Sequence, residues 1–316
     1  VRSVNAKRWI DEGWASLVPQ LPAEHRDDAR ELPALLDLAP RGTPWSEVFG
    51  HLVTLAAPAL VAEALPAASE ETMQSAVLAH LLGVIEAFGT DRIADGQLAS
   101  VGKLPRLLDA LRGARDGVLE GLAPGGAAEG RAADETAAEA IAEEHAWLAR
   151  GAPATLADYE RVSLGKQAPG FPATELLGRH TGASLRVRRA LRGALVGVWM
   201  GLQAHDDVVD WEDDFARGGA WVVALARGSG AEVPRDLASA RAAVLATHTP
   251  AKLLGYARRK LRATRRLAGA LGAEPLARWA AEREAKLTAL WEREQRAPGA
   301  TVRAHQLSPW WGEVGR

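Results

Sequence analysis

The sequence predicts an all-α fold, on three observations. Apolar residues recur at helical spacing along most of the 316 residues, and Ala, Leu, Arg and Glu dominate the composition. The alternating β-branched runs that mark strands are scarce. The periodicity predicts helices over roughly 5–18, 45–65, 69–95, 103–121, 132–150, 155–166, 172–215, 235–247, 250–272 and 273–296. Breaks fall at Pro40-Arg41-Gly42-Thr43-Pro44, Pro124-Gly125-Gly126 and Ala168-Pro169-Gly170. Thr155-Leu156-Ala157-Asp158 has the spacing of a capping box, which starts the helix containing Tyr159 at Thr155. The Gly/Ala-rich segment 123–134 reads as a loop, not a linker, because the same helical pattern resumes on both sides. There is no internal repeat and no βαβ alternation, so residues 1–316 are expected to form one helical domain.

Composition narrows the function classes. An apolar fraction of 47% is ample for a core, and 38 basic against 40 acidic residues leave a net charge of −2. That balance offers no bulk field for nucleic acid or an anionic membrane. The absence of cysteine excludes disulfides, thiolate metal sites and cysteine nucleophiles. No run of eighteen apolar residues marks an integral membrane segment, and Val1-Arg2-Ser3-Val4-Asn5-Ala6-Lys7-Arg8 has no signal-peptide core, so a cytoplasmic location is expected. Eleven Trp against four Phe and two Tyr would fill a core, or line an aromatic cavity able to stabilise cations.

The chemistry concentrates where the apolar run Ala194–Met200 leads into six acids within nine residues, Asp206 to Asp214. On a helix, Asp206, Asp210 and Asp214 lie one above the other, with Asp207 beside them. Like charges so spaced repel, and a helix C-terminus disfavours them further. The bland reading is a solvated helix end. The alternative is a site for a hard cation such as Mg²⁺, which takes oxygen ligands. A second pair, Asp91 and Asp95, also ends an apolar helix, with Val84, Ala87 and Phe88 on or near the same face. Together the two clusters offer carboxylates on two facing helices, as a diphosphate–metal site requires.

Leu202-Gln203-Ala204-His205-Asp206-Asp207-Val208-Val209-Asp210 resembles the second aspartate-rich motif of trans-polyprenyl diphosphate synthases, in which Phe-Gln precedes DDxxD. Tyr159 to Lys166 is similar to the Tyr-x6-Lys segment of that family, and Asp91 to Asp95 takes the place of its first DDxxD. The resemblance covers roughly residues 75–225. It implies the class I isoprenoid synthase fold, an allylic prenyl diphosphate substrate, Mg²⁺ and a homodimer. It further implies metal ligands at Asp91, Asp95, Asp206 and Asp210, with Asp207 and Asp214 as additions. Lys166 would contact the diphosphate, with Arg217, Arg161 or Arg92 as helpers. Phe88 and Trp199 would line the pocket, Gln203 would aim its amide into it, and small Ala87 would leave depth for fifteen or more carbons. Phe88, Trp199 and Gln203 are equally placed to be ordinary core.

The departures from the family bear on the reaction. Arg92 replaces the second Asp of the first motif, giving DxxxD as in squalene and phytoene synthases, and no arginine pair follows Asp95. Chain-elongating enzymes bind isopentenyl diphosphate through Gly-Lys-x-x-Arg-Pro; this chain has only Pro40-Arg41-Gly42-Thr43-Pro44-Trp45. The spacing of Asp206, Asp210 and Asp214 equals that of the metal triad of class I terpene cyclases. The leading expectation is therefore a Mg²⁺-dependent terpene cyclase. A chain-elongating or head-to-head prenyltransferase is the first alternative, and an inert subunit that modulates a partner the second.

Other polar groups read as structural. His205 points to a different face from the acids, and His145 and His180 have no metal-ligand partner at useful spacing. Arg186-Val187-Arg188-Arg189, and Arg258-Arg259-Lys260 with Arg262, Arg265 and Arg266, read as solvated helix faces. Pro309-Trp310-Trp311 would be a lid or a packed terminus.

Overall fold

The computed structural model describes residues 2–66, 68–98 and 100–302, with side chains from Asn5 onward; the Trp310-Trp311 tail lies outside them. Among the described residues there is no strand. The helices are α1 (Arg2–Leu17), α2 (Arg26–Arg30), α3 (Leu32–Leu35), α4 (Val53–Val61), α5 (Glu70–Ala94), α6 (Leu104–Leu122), α7 (Gly126–Ala149) and α8 (Leu156–Lys166). They continue with α9 (Pro172–His180), α10 (Leu185–Val209), α11 (Trp211–Arg217), α12 (Trp221–Gly228), α13 (Leu237–Ala246), α14 (Thr249–Leu271) and α15 (Glu274–Arg296).

Local chemistry sets most of the helix starts. Ser69 accepts from the Thr72 amide to open α5, and Ser184 from the Val187 amide to open α10. Thr155 and Asp158 form the expected capping box at α8. The structure departs from expectation at four places. Residues 45–65 do not form one helix: a 3₁₀ turn at Trp45–Glu47 precedes α4, which is kinked at Ala56 and contains Pro58. The expected loop 123–134 is mostly helix, since Gly125, at φ 81°, makes the turn in its first three residues and α7 starts at once. The run 172–215 divides into α9, α10 and α11, first at Gly182 (φ 71°) and again at Asp210. Helix α12 was not anticipated.

Helix α10 packs along α14, α14 against α15, and α5 against α4 and α6. The α10–α14 approach is close because Gly197 and Gly201, four residues apart, face it. A Cβ on Gly197 would lie 2.7 Å from the Lys260 carbonyl oxygen, and one on Gly201 2.8 Å from Leu261 Cγ. Two buried apolar clusters result. One gathers α1, α4, α5, α6, α9 and the first half of α10; the other gathers α8, the second half of α10, α12, α14 and α15. Helix α5 is long and apolar enough to match a membrane span by composition, with a mean hydropathy of 1.2, but 67% of that window is buried in the protein. Its apolar surface is used by the core, and its last turns carry Asp91 and Asp95.

Candidate active site

Lys166, the last residue of α8, holds the arrangement together. Its Nζ lies 3.0 Å from Asp91 Oδ1 on α5 and also pairs with Glu144 Oε2 on α7. Burial would lower the lysine pKa, yet Asp91 and then Glu144 more than offset this, so it stays charged with its pKa raised. The same lysine charge acts on Asp206 of α10 and on Asp214 of α11. Asp95 in turn acts on Asp214. Lys166 thus pairs with the first carboxylate group through Asp91 and acts electrostatically on the second through Asp206 and Asp214.

Burial and mutual repulsion dominate the second group. The Asp206 carboxyl is pushed up to about 6, first by burial and then by Asp214, against the pull of Arg92, Lys166 and Arg283. Asp210 is pushed up to about 10 by burial, then by Asp206, Asp214 and Asp207. Asp214 is raised by burial, although Arg217 Nη2 donates to its Oδ1 at 2.5 Å. Asp210 Oδ1 is buried without a hydrogen-bond partner. Crowded oxygen donors of this kind are the type a hard divalent cation takes. Among the described residues no three carboxylate or imidazole groups converge as an ion site.

Two expectations need correction. Asp207 does not join the facing carboxylates as a free metal ligand. Tyr159 Oη donates to its Oδ2 at 2.6 Å, and Gln203 Nε2 to its Oδ1 at 3.1 Å. Successive helical residues point about 100° apart, so Asp206 and Asp207 cannot share one face. Gln203 is likewise committed: its carbonyl oxygen accepts from Gln167 Nε2 at 3.0 Å, so its amide serves this buried chain and not an open pocket. Burial pushes the Asp207 carboxyl well up, and the Tyr159 hydrogen bond opposes that.

The remaining predicted residues fall in several settings. Trp199 is buried against Gly170 and stacked on His80 with ring centroids 5.9 Å apart, and its indole Nε1 has no hydrogen-bond partner. Phe88 is half-buried beside Phe49 at 5.1 Å, with Ala87 half-buried next to it. Arg92 donates to the Asp37 carbonyl at 3.3 Å and acts on Asp206. Arg161 is engaged by Glu143 on the exposed side of α8 at 2.6 Å, away from the aspartates. His205 is buried, as its position implied.

Sequence reasoning missed Glu144 and saw no partner for His145. Glu144 is buried and accepts from the Trp221 indole as well as from Lys166. The signal was present: Ala137, Ala140, Ile141 and Glu144 form the buried stripe of α7, so one acid stands on an apolar face. His145 Nε2 lies 2.6 Å from Asp95 Oδ1, a partner 50 residues upstream that spacing along one helix does not show.

No protein-family model and no curated protein matches this sequence. Solved structures do match. A polyprenyl synthase from Caulobacter crescentus CB15, complexed with calcium and isoprenyl diphosphate, aligns with a TM-score of 0.65 at 16% identity, over 90% of this chain and 94% of that one. A polyprenyl synthase from Roseobacter denitrificans aligns with a TM-score of 0.59 at 18% identity, over 88% of this chain and 99% of that one. The chain therefore has the all-α isoprenoid synthase fold of the polyprenyl synthases.

Proposed function

We propose that this chain binds an allylic prenyl diphosphate between the α5 and α10–α11 carboxylates and ionises it, as a prenyltransferase of the polyprenyl synthase type. The observation that carries this reading is Lys166, paired with Asp91 and acting electrostatically on Asp206 and Asp214. One buried cation at the junction of two carboxylate groups is what a diphosphate leaving group and its counter-ions need. Asp91, Asp95, Asp206, Asp210 and Asp214 would hold divalent ions. When bound, Mg²⁺ neutralises charge on the diphosphate as the allylic C–O bond breaks. Lys166 is preorganised to stabilise the same developing charge, and its partner Glu144 keeps it in place. Tyr159, Gln203 and Gln167 fix Asp207 and thereby the rotation of the α10 turn that presents Asp206 and Asp210. Trp199, Phe88 and Phe49 supply an apolar, aromatic wall near the cation left behind.

Transfer is favoured over cyclisation because both structural neighbours are polyprenyl synthases and one carries isoprenyl diphosphate. The cyclase reading keeps one observation of its own. In the segment where an acceptor site is expected, Arg41 is exposed and Trp45 packs edge-on against Trp14 at 5.6 Å. Incubation with Mg²⁺ and farnesyl or geranylgeranyl diphosphate, with and without isopentenyl diphosphate, decides between the two. Diphosphate release that requires isopentenyl diphosphate supports transfer, whereas release without it, with an extractable hydrocarbon or alcohol, supports cyclisation. If diphosphate with Mg²⁺ neither turns over nor shifts the melting curve, the enzyme reading fails and the inert-subunit reading stands.

A further inference from the structure

A cationic cavity lies between α14 and α15, with a volume of about 270 Å³. Lys252, Arg258, Arg259, Arg262, Trp291 and Gln295 line it, and among the described residues no acidic side chain does. The four cations fall on successive turns of one face of α14, where like charges repel. Two of the other three cations of this helix show what neutralisation looks like: Lys260 pairs with Glu160, and Arg265 with Glu284, while Arg266 makes no ion pair among the described residues. Of the cavity cations, Arg262 alone has an acidic partner among the described residues, through its Nε to Glu284 at 2.7 Å. Arg259 makes no ion pair among the described residues. The face is also shaped. The Arg258 guanidinium lies 4.2 Å over the Trp291 ring while its Nε donates to Thr288 at 3.0 Å, which fixes the fork. Gly255 leaves the floor open, since a Cβ there would come within 3.3 Å of the Trp291 indole nitrogen. The cations that act on Asp206 and Asp214 are Arg92, Lys166, Arg217 and Arg283, none of which belongs to this cavity.

We infer that this cavity is a second anion site, separate from the carboxylate site, and that it takes a phosphate group. Two guanidiniums and one ammonium with no acidic partner among the described residues, beside the Glu284-paired Arg262, match the oxygens of a phosphate, which arginine grips through two parallel hydrogen bonds. The volume admits one phosphorylated headgroup or a free diphosphate, not a nucleic-acid backbone. The two sources share the same chemistry and are separated by experiment.

Inorganic diphosphate is titrated calorimetrically into the full chain in EDTA, so that binding through divalent ions is removed, and the chain is co-sedimented with phosphatidylcholine vesicles with and without phosphatidic acid. The double variant Lys252→Gln/Arg259→Gln alters two exposed side chains and should keep the wild-type melting temperature. Asp206→Asn/Asp210→Asn removes carboxylates of the other site. Metal-free diphosphate binding that weakens by about tenfold or more in the first variant, and persists in the second, supports a soluble ligand. Sedimentation only with phosphatidic acid, lost in the first variant, supports a lipid headgroup. No binding in either arm, or binding that the Lys252/Arg259 pair does not affect, overturns the inference. Should the double variant fail to fold, Gly255→Leu, which fills the floor, must abolish binding for the inference to stand.

Discussion

His145 Nε2 lies 2.6 Å from Asp95 Oδ1, so α7 grips the end of α5 at one of its two acids. The ring donates, and the carboxylate oxygen accepts. Held in this way at Oδ1, and accepting from Gln97 Nε2 at 3.3 Å at Oδ2, Asp95 is fixed at the end of α5, from where its charge acts on Asp214. Partners of this kind orient ligating carboxylates, and their removal costs about 10–100-fold in metal affinity. His145→Phe is therefore expected to raise the Mg²⁺ concentration needed for half-maximal activity by about that factor. The half-exposed position predicts little loss of thermal stability. His145→Gln, which can still donate, should recover part of the effect. A Mg²⁺ dependence unchanged in His145→Phe would show the contact to be incidental.

The parts of the site that were legible in the sequence are those set by one helix at a time. Asp91 with Asp95, and Asp206 with Asp210, follow from helical spacing, and their half-burial follows from the apolar runs before them; Asp214 lies past the break at Asp210, on α11. Lys166 was found through the Tyr159 segment that ends α8. What spacing could not supply is rotation and distance. Asp206 and Asp207 are neighbours in the chain, yet only the packing of Tyr159 from α8 shows that Asp207 belongs to a structural hydrogen-bond chain. Glu144 and His145 come from a helix rich in Ala and Glu whose other acids are exposed or half-buried, so their pairing needs the third dimension. The break at Gly182 that separates α9 from α10 was hidden for another reason. A glycine at φ 71° ends a helix, but a lone glycine within a helical pattern is also tolerated.

The repulsion within the second carboxylate group makes a stability prediction. The Asp210 carboxyl is pushed up to about 10, from an ordinary value of 3.8, by burial and by Asp206, Asp214 and Asp207. A folded-state pKa above the unfolded value means that the folded protein holds the proton more tightly. Between those two values stability falls as pH rises, because ionising the folded form costs more. Asp210→Asn removes that cost. Without metal at pH 8, its melting temperature is expected to exceed wild type by about 2–4 °C, the shift that about 1 kcal/mol gives a domain somewhat smaller than this chain. At pH 4 the gain should vanish. On the proposed function, Mg²⁺ with diphosphate should stabilise the wild type, and the variant should lose that stabilisation. Scanning calorimetry at the two pH values, with and without Mg²⁺ and diphosphate, checks both parts. A variant less stable than wild type at pH 8 would refute the repulsion argument.

The apolar wall carries a pH dependence of the opposite sign. His80 is fully enclosed, stacked on Trp199, with its Nε2 3.0 Å from the Thr54 carbonyl oxygen. Burial lowers its pKa to about 4, against the smaller raising effect of the Thr54 and Gly170 backbone. His51 is driven to about 3 by burial and then by Arg283. Below pH 6.5 the unfolded chain takes up these protons and the folded chain does not. The stability contributed by a neutral His80 is therefore complete above pH 6.5 and is lost as pH falls toward 4. Full loss at this one site corresponds to about 3 kcal/mol. In His80→Gln the amide can still donate to Thr54 but takes up no proton. The expected result is a shallower fall of unfolding free energy between pH 6.5 and 4, by up to about 1.4 kcal/mol per pH unit relative to wild type. Taking the difference between the two proteins cancels the carboxylate contributions, which both share. Urea unfolding at half-unit pH steps measures it, and parallel curves for the two proteins would mean that His80 is protonated in the fold without cost.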